Sequence, residues 1–385
     1  MTSLSQLDSR KLVAFGDRLA SRYAAERMPA LRKMEMFLTE DCTLRCDYCF
    51  VNDKDRRKRM SWETAKKAVD FLIEQSSSGS DLNIALFGGE PLMEFSLIKR
   101  IAEYAGSQAK EADRILTFSL TTNGTIMTEE IARFGREYGF NLMLSIDGTK
   151  EAHDRHRVYS GGRKGCWNDV VGENFHLLKS IQGWMGARVT VSPDIAGYLS
   201  SGMKTLFEIG VNQFLIGPDH DAIWGEEEMD TLSSEMHRVV DFYVDSKTKG
   251  LPIRIAEFEK SVEDDRLAYN HSWGCDAGRT RVSVSTEGDL YPCCKLVRPF
   301  PGMEDCRLGN LDTGFTYIRR RMDFVDYQPD EALCSKCGIR DRCGGGCPAS
   351  NLHLTGSLFT PSPFECFAKR LYVDLLARIS TEVQA

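Results

Sequence analysis

At 385 residues and 42% hydrophobic content, the chain has material for a barrel-sized domain plus a smaller one. A net charge of -7 argues against nucleic acid or an anionic membrane surface as partners. No apolar stretch reaches the length of a membrane span, and residues 1–33 lack the apolar core of a secretory signal, so a cytoplasmic location is expected.

The stretch Leu12 to Tyr23 has apolar residues at helical spacing, so residues 1–33 are read as a helical segment packed on the barrel-sized domain. From 34 to 250, short apolar runs alternate with longer amphipathic ones, the pattern of repeated βα units around a parallel sheet. The expected strands are Met34 to Leu38, Asn83 to Phe87, Ile115 to Leu120, Asn141 to Ser145, Ala187 to Val191 and Gln213 to Ile216. The expected helices are Ser61 to Gln75, Phe95 to Ser107, Thr128 to Tyr138, Trp167 to Ile181, Leu199 to Ile209 and Glu226 to Val244. Ser61 and Thr128 are N-cap candidates with acids in the following turn, and Glu226 to Glu228 favour the start of a helix through its dipole. Six βα units followed by a linker at 251–273 and a small α+β region at 274–385 give an α/β fold, a partial (β/α)6 TIM-type barrel with a cysteine-rich extension.

Nearly every candidate motif lies on a strand or just beyond its C-terminal end, the rim where barrels of this kind carry their sites. After strand one comes Cys42-x3-Cys46-x2-Cys49-Phe50, after strand two Gly88-Gly89-Glu90-Pro91, after strand three Asn123-Gly124, and after strand four Asp147-Gly148. Thirteen cysteines, most in tight clusters, fit metal ligation in a reducing compartment better than a disulfide framework. Three thiolates in one loop suit a cubic iron-sulfur cluster with one iron left open; a zinc knuckle, the bland alternative, wants four ligands and this loop supplies three.

The cysteine loop with its following aromatic residue resembles that of radical S-adenosylmethionine (radical SAM) enzymes. The resemblance implies that Cys42, Cys46 and Cys49 hold a [4Fe-4S] cluster, whose open iron chelates the methionyl group of S-adenosylmethionine. It further implies that an electron from the cluster generates a 5'-deoxyadenosyl radical. Gly88, Gly89, Glu90 and Pro91 match the family's motif for the methionyl amino group. By the same resemblance Asn123, Ser145 and Asp147 line the ribose and methionyl end, Arg188 is a candidate for the carboxylate, and Phe50 packs beside cluster and adenine. Each of these has an ordinary counterpart as a turn dipeptide, a strand ion pair or a core aromatic. The run His153-Asp-Arg-His-Arg157 resembles a stretch of peptide-modifying members and faces either substrate or solvent. The basic run Lys54 to Arg59 is a docking patch for an acidic electron donor or a solvated loop. Cys166 is read as packing.

From Cys275 the pattern is Cys275-x12-Gly288-x4-Cys293, then Cys334-x2-Cys337-x5-Cys343-x3-Cys347-x18-Cys366, which resembles the SPASM extension with two auxiliary [4Fe-4S] clusters. That likeness implies one cluster on Cys334, Cys337, Cys343 and Cys366, and another on Cys275, Cys293 and Cys347. The second set is one ligand short, because Arg281 stands where some relatives have a further cysteine. Cys294, Cys306, Asp276 or substrate can fill the vacancy. Glu287 to Pro292 reads as a hairpin whose tight turn uses Gly288.

The resemblance points to an oxidoreductase that modifies a short ribosomal precursor peptide by forming a carbon-carbon, carbon-heteroatom or thioether link. Its partners would be an electron donor such as flavodoxin or ferredoxin and a separate leader-recognition protein. The rivals are an anaerobic sulfatase maturase, a dehydrogenase of a small-molecule alcohol, and a non-catalytic iron-sulfur carrier or zinc scaffold. In the sulfatase maturases an acid follows the cysteine equivalent to Cys293; here that residue is Cys294.

Overall fold

A computed structural model of the chain describes residues 27–51, 57–162, 164–259, 275–297 and 305–383. The expected helix at Leu12 to Tyr23 lies outside them. Ten strands form one sheet: β1 (Lys33–Thr39), β2 (Asp81–Gly88), β3 (Ile115–Thr122), β4 (Asn141–Ser145), β5 (Gly186–Val191), β6 (Gln213–Pro218), β7 (Arg254–Ile255), β8 (Arg281–Val284), β9 (Asp289–Tyr291) and β10 (Gly309–Asn310). Their order is β10-β9-β8-β1-β2-β3-β4-β5-β6-β7, parallel from β8 through β7.

The linking helices run in chain order as α1 (Trp62–Glu74), α2 (Phe95–Glu111), α3 (Glu129–Glu137), α4 (Lys150–His156), α5 (Phe175–Lys179), α6 (Leu199–Glu208), α7 (Glu226–Thr248) and α8 (Ala256–Glu259). Those of the cysteine-rich region are α9 (Ile318–Val325), α10 (Glu331–Cys334), α11 (Arg340–Cys343), α12 (Pro348–Thr355) and α13 (Pro363–Val383). Ser61 caps α1 by accepting from the Thr64 N–H at 3.1 Å, and Thr128 caps α3 from Ile131 at 3.2 Å. Strand alternation buries Phe118, Leu120, Leu142, Leu144, Ala187 and Val189 under the helices, and the opposite face carries Ser145, Arg188 and Thr190.

Three expectations need correction. Residues 254 and 255, expected as linker, form β7 and continue the parallel sheet beyond β6. The single helix expected from Trp167 to Ile181 is a π-helical stretch, Asn168–Asn174, that passes into α5; Asn174 donates to the Gly124 carbonyl at 2.8 Å. The His153 to Arg157 run belongs to α4, whose cap Thr149 accepts from the Ala152 N–H. Only seven residues long, α4 falls below the length at which periodicity speaks.

The cysteine-rich region joins the barrel by strand pairing. Glu35 of β1 pairs in register with Ser283 of β8, and β8 turns back into β9 through Gly288, whose φ of +90° is a left-handed conformation suited to glycine. At the other edge α13 lies on α7, where Arg378 reaches Asp241 and the His237 carbonyl. Among the described residues no helix is long and apolar enough to cross a membrane.

Candidate functional site

The cysteine loop leaves β1 and is clasped by three neighbouring loops. From the β2 side, the Gly89 N–H donates to the Thr39 carbonyl at 2.8 Å and the Glu90 N–H to that of Asp41 at 2.9 Å. This approach is what the two glycines permit: a Cβ at Gly88 would stand 2.2 Å from the Thr39 carbonyl oxygen, and one at Gly89 would stand 2.0 Å from that of Asp41. From the α4 side, Arg45 donates to the Val158 carbonyl and Ser160 to that of Thr43, both at 2.8 Å. From the β3 side, the Asn123 amide donates to Thr43 Oγ1 at 3.0 Å and lies 3.5 Å from the Cys42 sulfur.

Glu90 is fully buried and does not point into an open pocket. Its carboxylate accepts from the Leu92 N–H at 3.1 Å, the Thr122 hydroxyl at 2.9 Å and the Asn123 N–H at 2.8 Å, binding the β2 loop to the β3 loop. Burial pushes its pKa up to about 7, against those three donors, which favour the charged form. A carboxyl raised above its unfolded value contributes stability that is fully present below the unfolded pKa and lost as pH rises through about 7. Between about pH 5 and pH 7.5 the wild-type protein is therefore expected to lose roughly 2–3 kcal/mol that Glu90→Gln, at a constant cost for its misplaced amide donor, does not lose. Urea midpoints across that window check this; parallel profiles for the two proteins would contradict it.

Asp147 is the centre of a second buried network. The Arg157 guanidinium grips its carboxylate at 2.6 and 3.0 Å, the Thr190 N–H donates to it at 2.9 Å, and the Tyr48 hydroxyl of the cysteine loop donates as well. Burial pushes the Asp147 carboxyl up, but Arg157 overrides this and holds it below its ordinary value. In α4, His153 is buried with its Nε2 3.1 Å from the Cys166 sulfur and its Nδ1 accepting from the Asp147 N–H at 3.4 Å. Burial lowers the His153 pKa to about 4 and raises that of Cys166 to about 12, so both are neutral near pH 7. His156 stands between Asp47 of the cysteine loop at 2.7 Å and Asp194 at 3.1 Å. Three members of the run, His153, His156 and Arg157, are therefore buried and brace the cysteine loop from behind, while Arg155 is exposed and pairs with Asp194 at 2.6 Å. Sequence reasoning missed Tyr48, and it named Arg157 only within the run facing substrate or solvent and not as the partner of Asp147, although the Asp147-Gly148-Thr149 step carries the signal of a turn followed by a cap.

Ser145 and Arg188 stand in register on β4 and β5, and Arg188 is exposed and has no ion-pair partner among the described residues. Phe50 stacks on Phe87 with centroids 6.0 Å apart. Both belong to a cluster with Phe37, Tyr291, Cys49 and Cys294, so the C-terminal region supplies part of the cysteine loop's surroundings. Of the basic run, residues 54–56 lie outside the described chain; Lys58 pairs with Glu287 at 2.6 Å and Arg59 with Glu94 at 3.0 Å.

Glu35, an acid between Met34 and Met36 in the buried part of β1, joins the two regions. Its carboxylate accepts from the Cys294 N–H at 2.9 Å, from Ser283, and from Arg281 at 3.2 Å. Cys275, Cys293 and Cys347 pack against a single buried group. Burial raises the Cys366 thiol, and the proximity of Cys343, Cys334 and Cys337 raises it further, so these four lie together. Among the described residues no three ligand side chains close to single-ion spacing, whereas a cubane holds its thiolates further apart, one to an iron. The donor chemistry fits iron-sulfur clusters: soft thiolates in the expected sets, and a Cys42 sulfur with the Leu44 N–H 3.4 Å away.

Residues 36–180 match the family model of the radical SAM superfamily, and residues 275–338 that of the SPASM iron-sulfur cluster-binding domain. An uncharacterised protein of Methanocaldococcus jannaschii is 30% identical over 69% of this chain and 86% of its own length. A cysteine-type anaerobic sulfatase-maturating enzyme of Clostridium novyi is 29% identical over 80% of this chain and 85% of its own. Among solved structures, anSMEcpe with bound AdoMet and Cp18Cys peptide superposes with a TM-score of 0.75 at 20% identity, covering 92% of this chain and 99% of that one. The chain belongs to the radical SAM superfamily, binds S-adenosylmethionine and a [4Fe-4S] cluster in its barrel, and carries auxiliary iron-sulfur clusters in a C-terminal SPASM domain.

Proposed function

We propose that this radical SAM enzyme is an oxidoreductase that matures a ribosomally made peptide, removing hydrogen from a side chain and installing a carbon-carbon, carbon-heteroatom or thioether crosslink. When bound, the cofactors supply a primary carbon radical that takes hydrogen from substrate and an acceptor for the second electron. The chain's own residues hold and enclose. Cys42, Cys46 and Cys49 hold the first cluster, and the glycine pair with Asn123 fixes the loop that carries them. Arg188, exposed on the open face of the sheet and without an ion-pair partner among the described residues, would bind the cofactor carboxylate, and the Phe50–Phe87 stack would keep water from one side.

The observation that carries the crosslinking reading is Cys294. The sulfatase maturases place an acid, a candidate base, beside the cysteine equivalent to Cys293, and this chain puts the half-buried thiol of Cys294 there. The Glu35 carboxylate, which accepts from the Cys294 N–H, is committed as well to Arg281 and Ser283. The likeness to sulfatase-maturating enzymes over four-fifths of the chain favours the second reading, formylglycine formation on a sulfatase.

The test is to incubate the reconstituted enzyme, S-adenosylmethionine and a reductant such as reduced flavodoxin or ferredoxin with a short precursor peptide or with a sulfatase peptide. Any separate leader-recognition protein is added to the first reaction. A loss of two hydrogens, with no fragmentation between the linked residues, is expected for the first peptide. An unchanged first peptide beside an aldehyde, trapped by hydrazine, in the second would overturn the crosslinking reading.

A further inference from the structure

The set Cys275, Cys293 and Cys347 supplies three thiolates for a cubane, and four groups compete for the vacant place. Cys294 is turned away: Cys293 has extended backbone, φ -156° and ψ 169°, so successive side chains point to opposite sides. Cys293 accordingly packs with Cys275 and Cys347, while Cys294 packs with Cys49, Phe50 and Phe87 on the barrel side. Asp276 is committed to Arg281, whose Nε lies 2.9 Å from its carboxylate.

Cys306 sits in the buried group against which Cys275, Cys293 and Cys347 all pack, with 2% of its surface exposed. Chain topology brings it there. The antiparallel pairing matches Gly309 with Leu290, and the Leu308 N–H donates to the Leu290 carbonyl at 2.7 Å. Counting back along both chains sets Cys306 opposite the Pro292–Cys293 step. It lies outside the seven-cysteine spacing, which is why spacing alone could not select it.

We infer that Cys306 is the fourth protein ligand of the auxiliary cluster on Cys275, Cys293 and Cys347, so that this cluster is closed to substrate and serves only to pass electrons. A thiolate is the ligand a cubane iron prefers over carboxylate. Arg281, at the position where a further cysteine was expected, contributes charge: its guanidinium lies 3.7 Å from the Cys275 sulfur and bridges Glu35 and Asp276.

The test uses the anaerobic holoenzyme saturated with S-adenosylmethionine, which covers the open iron of the first cluster. Electron paramagnetic resonance is recorded on the reduced protein with and without added 2-mercaptoethanol, and after brief oxidation. The wild-type spectrum is expected to be indifferent to the thiol. In Cys306→Ala the spectrum shifts on thiol addition, and oxidation yields a three-iron signal from the loosened iron; Cys294→Ala behaves as wild type. A thiol response in the wild type would show an open cluster and overturn the inference. So would a response in Cys294→Ala with none in Cys306→Ala. If Cys306→Ala does not fold, Cys306→Ser supplies a weaker oxygen ligand: a displaced reduced spectrum at unchanged iron content supports the assignment, and an unchanged spectrum refutes it.

Discussion

Replacing Cys42, Cys46 and Cys49 together by alanine is expected to abolish 5'-deoxyadenosine formation and to lower bound iron by about four atoms per chain, leaving the auxiliary iron in place. The prediction rests on how the loop is built. It is held by backbone bonds from Gly89, Glu90, Arg45 and Ser160, none of which uses a sulfur, so the loop keeps its course without its thiols. The auxiliary sets lie on other elements, so their occupancy is independent. Iron analysis and product assay on the same reconstituted sample check both halves. A carrier or zinc scaffold would show no cofactor cleavage even in the wild type, and cleavage persisting in the triple variant would remove the cysteine loop from the chemistry.

Much of the barrel was legible because β1, buried on both faces, reads as an unbroken apolar run in Met36-Phe-Leu38, and β4 alternates buried Leu142 and Leu144 with the half-buried Met143, between helices long enough to show their period. What escaped was short or distant. Helix α4 has fewer than two full turns of apolar signal, and β7 has two residues. The pairing of β1 with β8 joins segments about 250 residues apart, for which no local pattern exists. One anomaly did announce it: Glu35, a carboxylate in a buried strand, needs partners from elsewhere, and it finds them in Arg281, Ser283 and Cys294.

The candidate site divides along the same line. Motifs read as cofactor contacts also have internal duties that spacing did not reveal: the Glu90 carboxylate stitches two loops, and Asp147 anchors α4 and Tyr48. Spacing identifies which residues gather at a rim, but the direction of each side chain depends on neighbours that spacing does not name. Cys293 and Cys294 show this at one step of chain, adjacent in sequence and packed in two different clusters.

Arg157→Ala is expected to destabilise the protein by about 3–5 kcal/mol, because it leaves the Asp147 carboxylate buried and uncompensated. The Asp147 side chain has 0% exposure and that of Arg157 7%, so water cannot screen the loss. Thr190 and Tyr48 still donate to the carboxylate, yet burial is the largest influence on it, and without the guanidinium burial prevails. The sign of the pH dependence then reverses. In the wild type the Asp147 carboxyl is depressed, so its contribution is present above the unfolded pKa and lost as pH falls through the lower folded value. In the variant the carboxyl is raised, and stability recovers as the acid is protonated, so the deficit is smaller near about pH 6 than near about pH 8. Urea midpoints of the anaerobic holoprotein at those two values measure it. Arg157→Lys keeps the charge but loses the two-pronged grip, so its deficit is smaller and its slope unreversed. Tyr48, sharing Asp147 with Arg157, carries the disturbance to the cysteine loop, and slower iron incorporation by Arg157→Ala should accompany its lower midpoint. An Arg157→Ala protein with an unshifted midpoint and wild-type iron uptake would mean that the buried pair neither supports the barrel nor positions the loop.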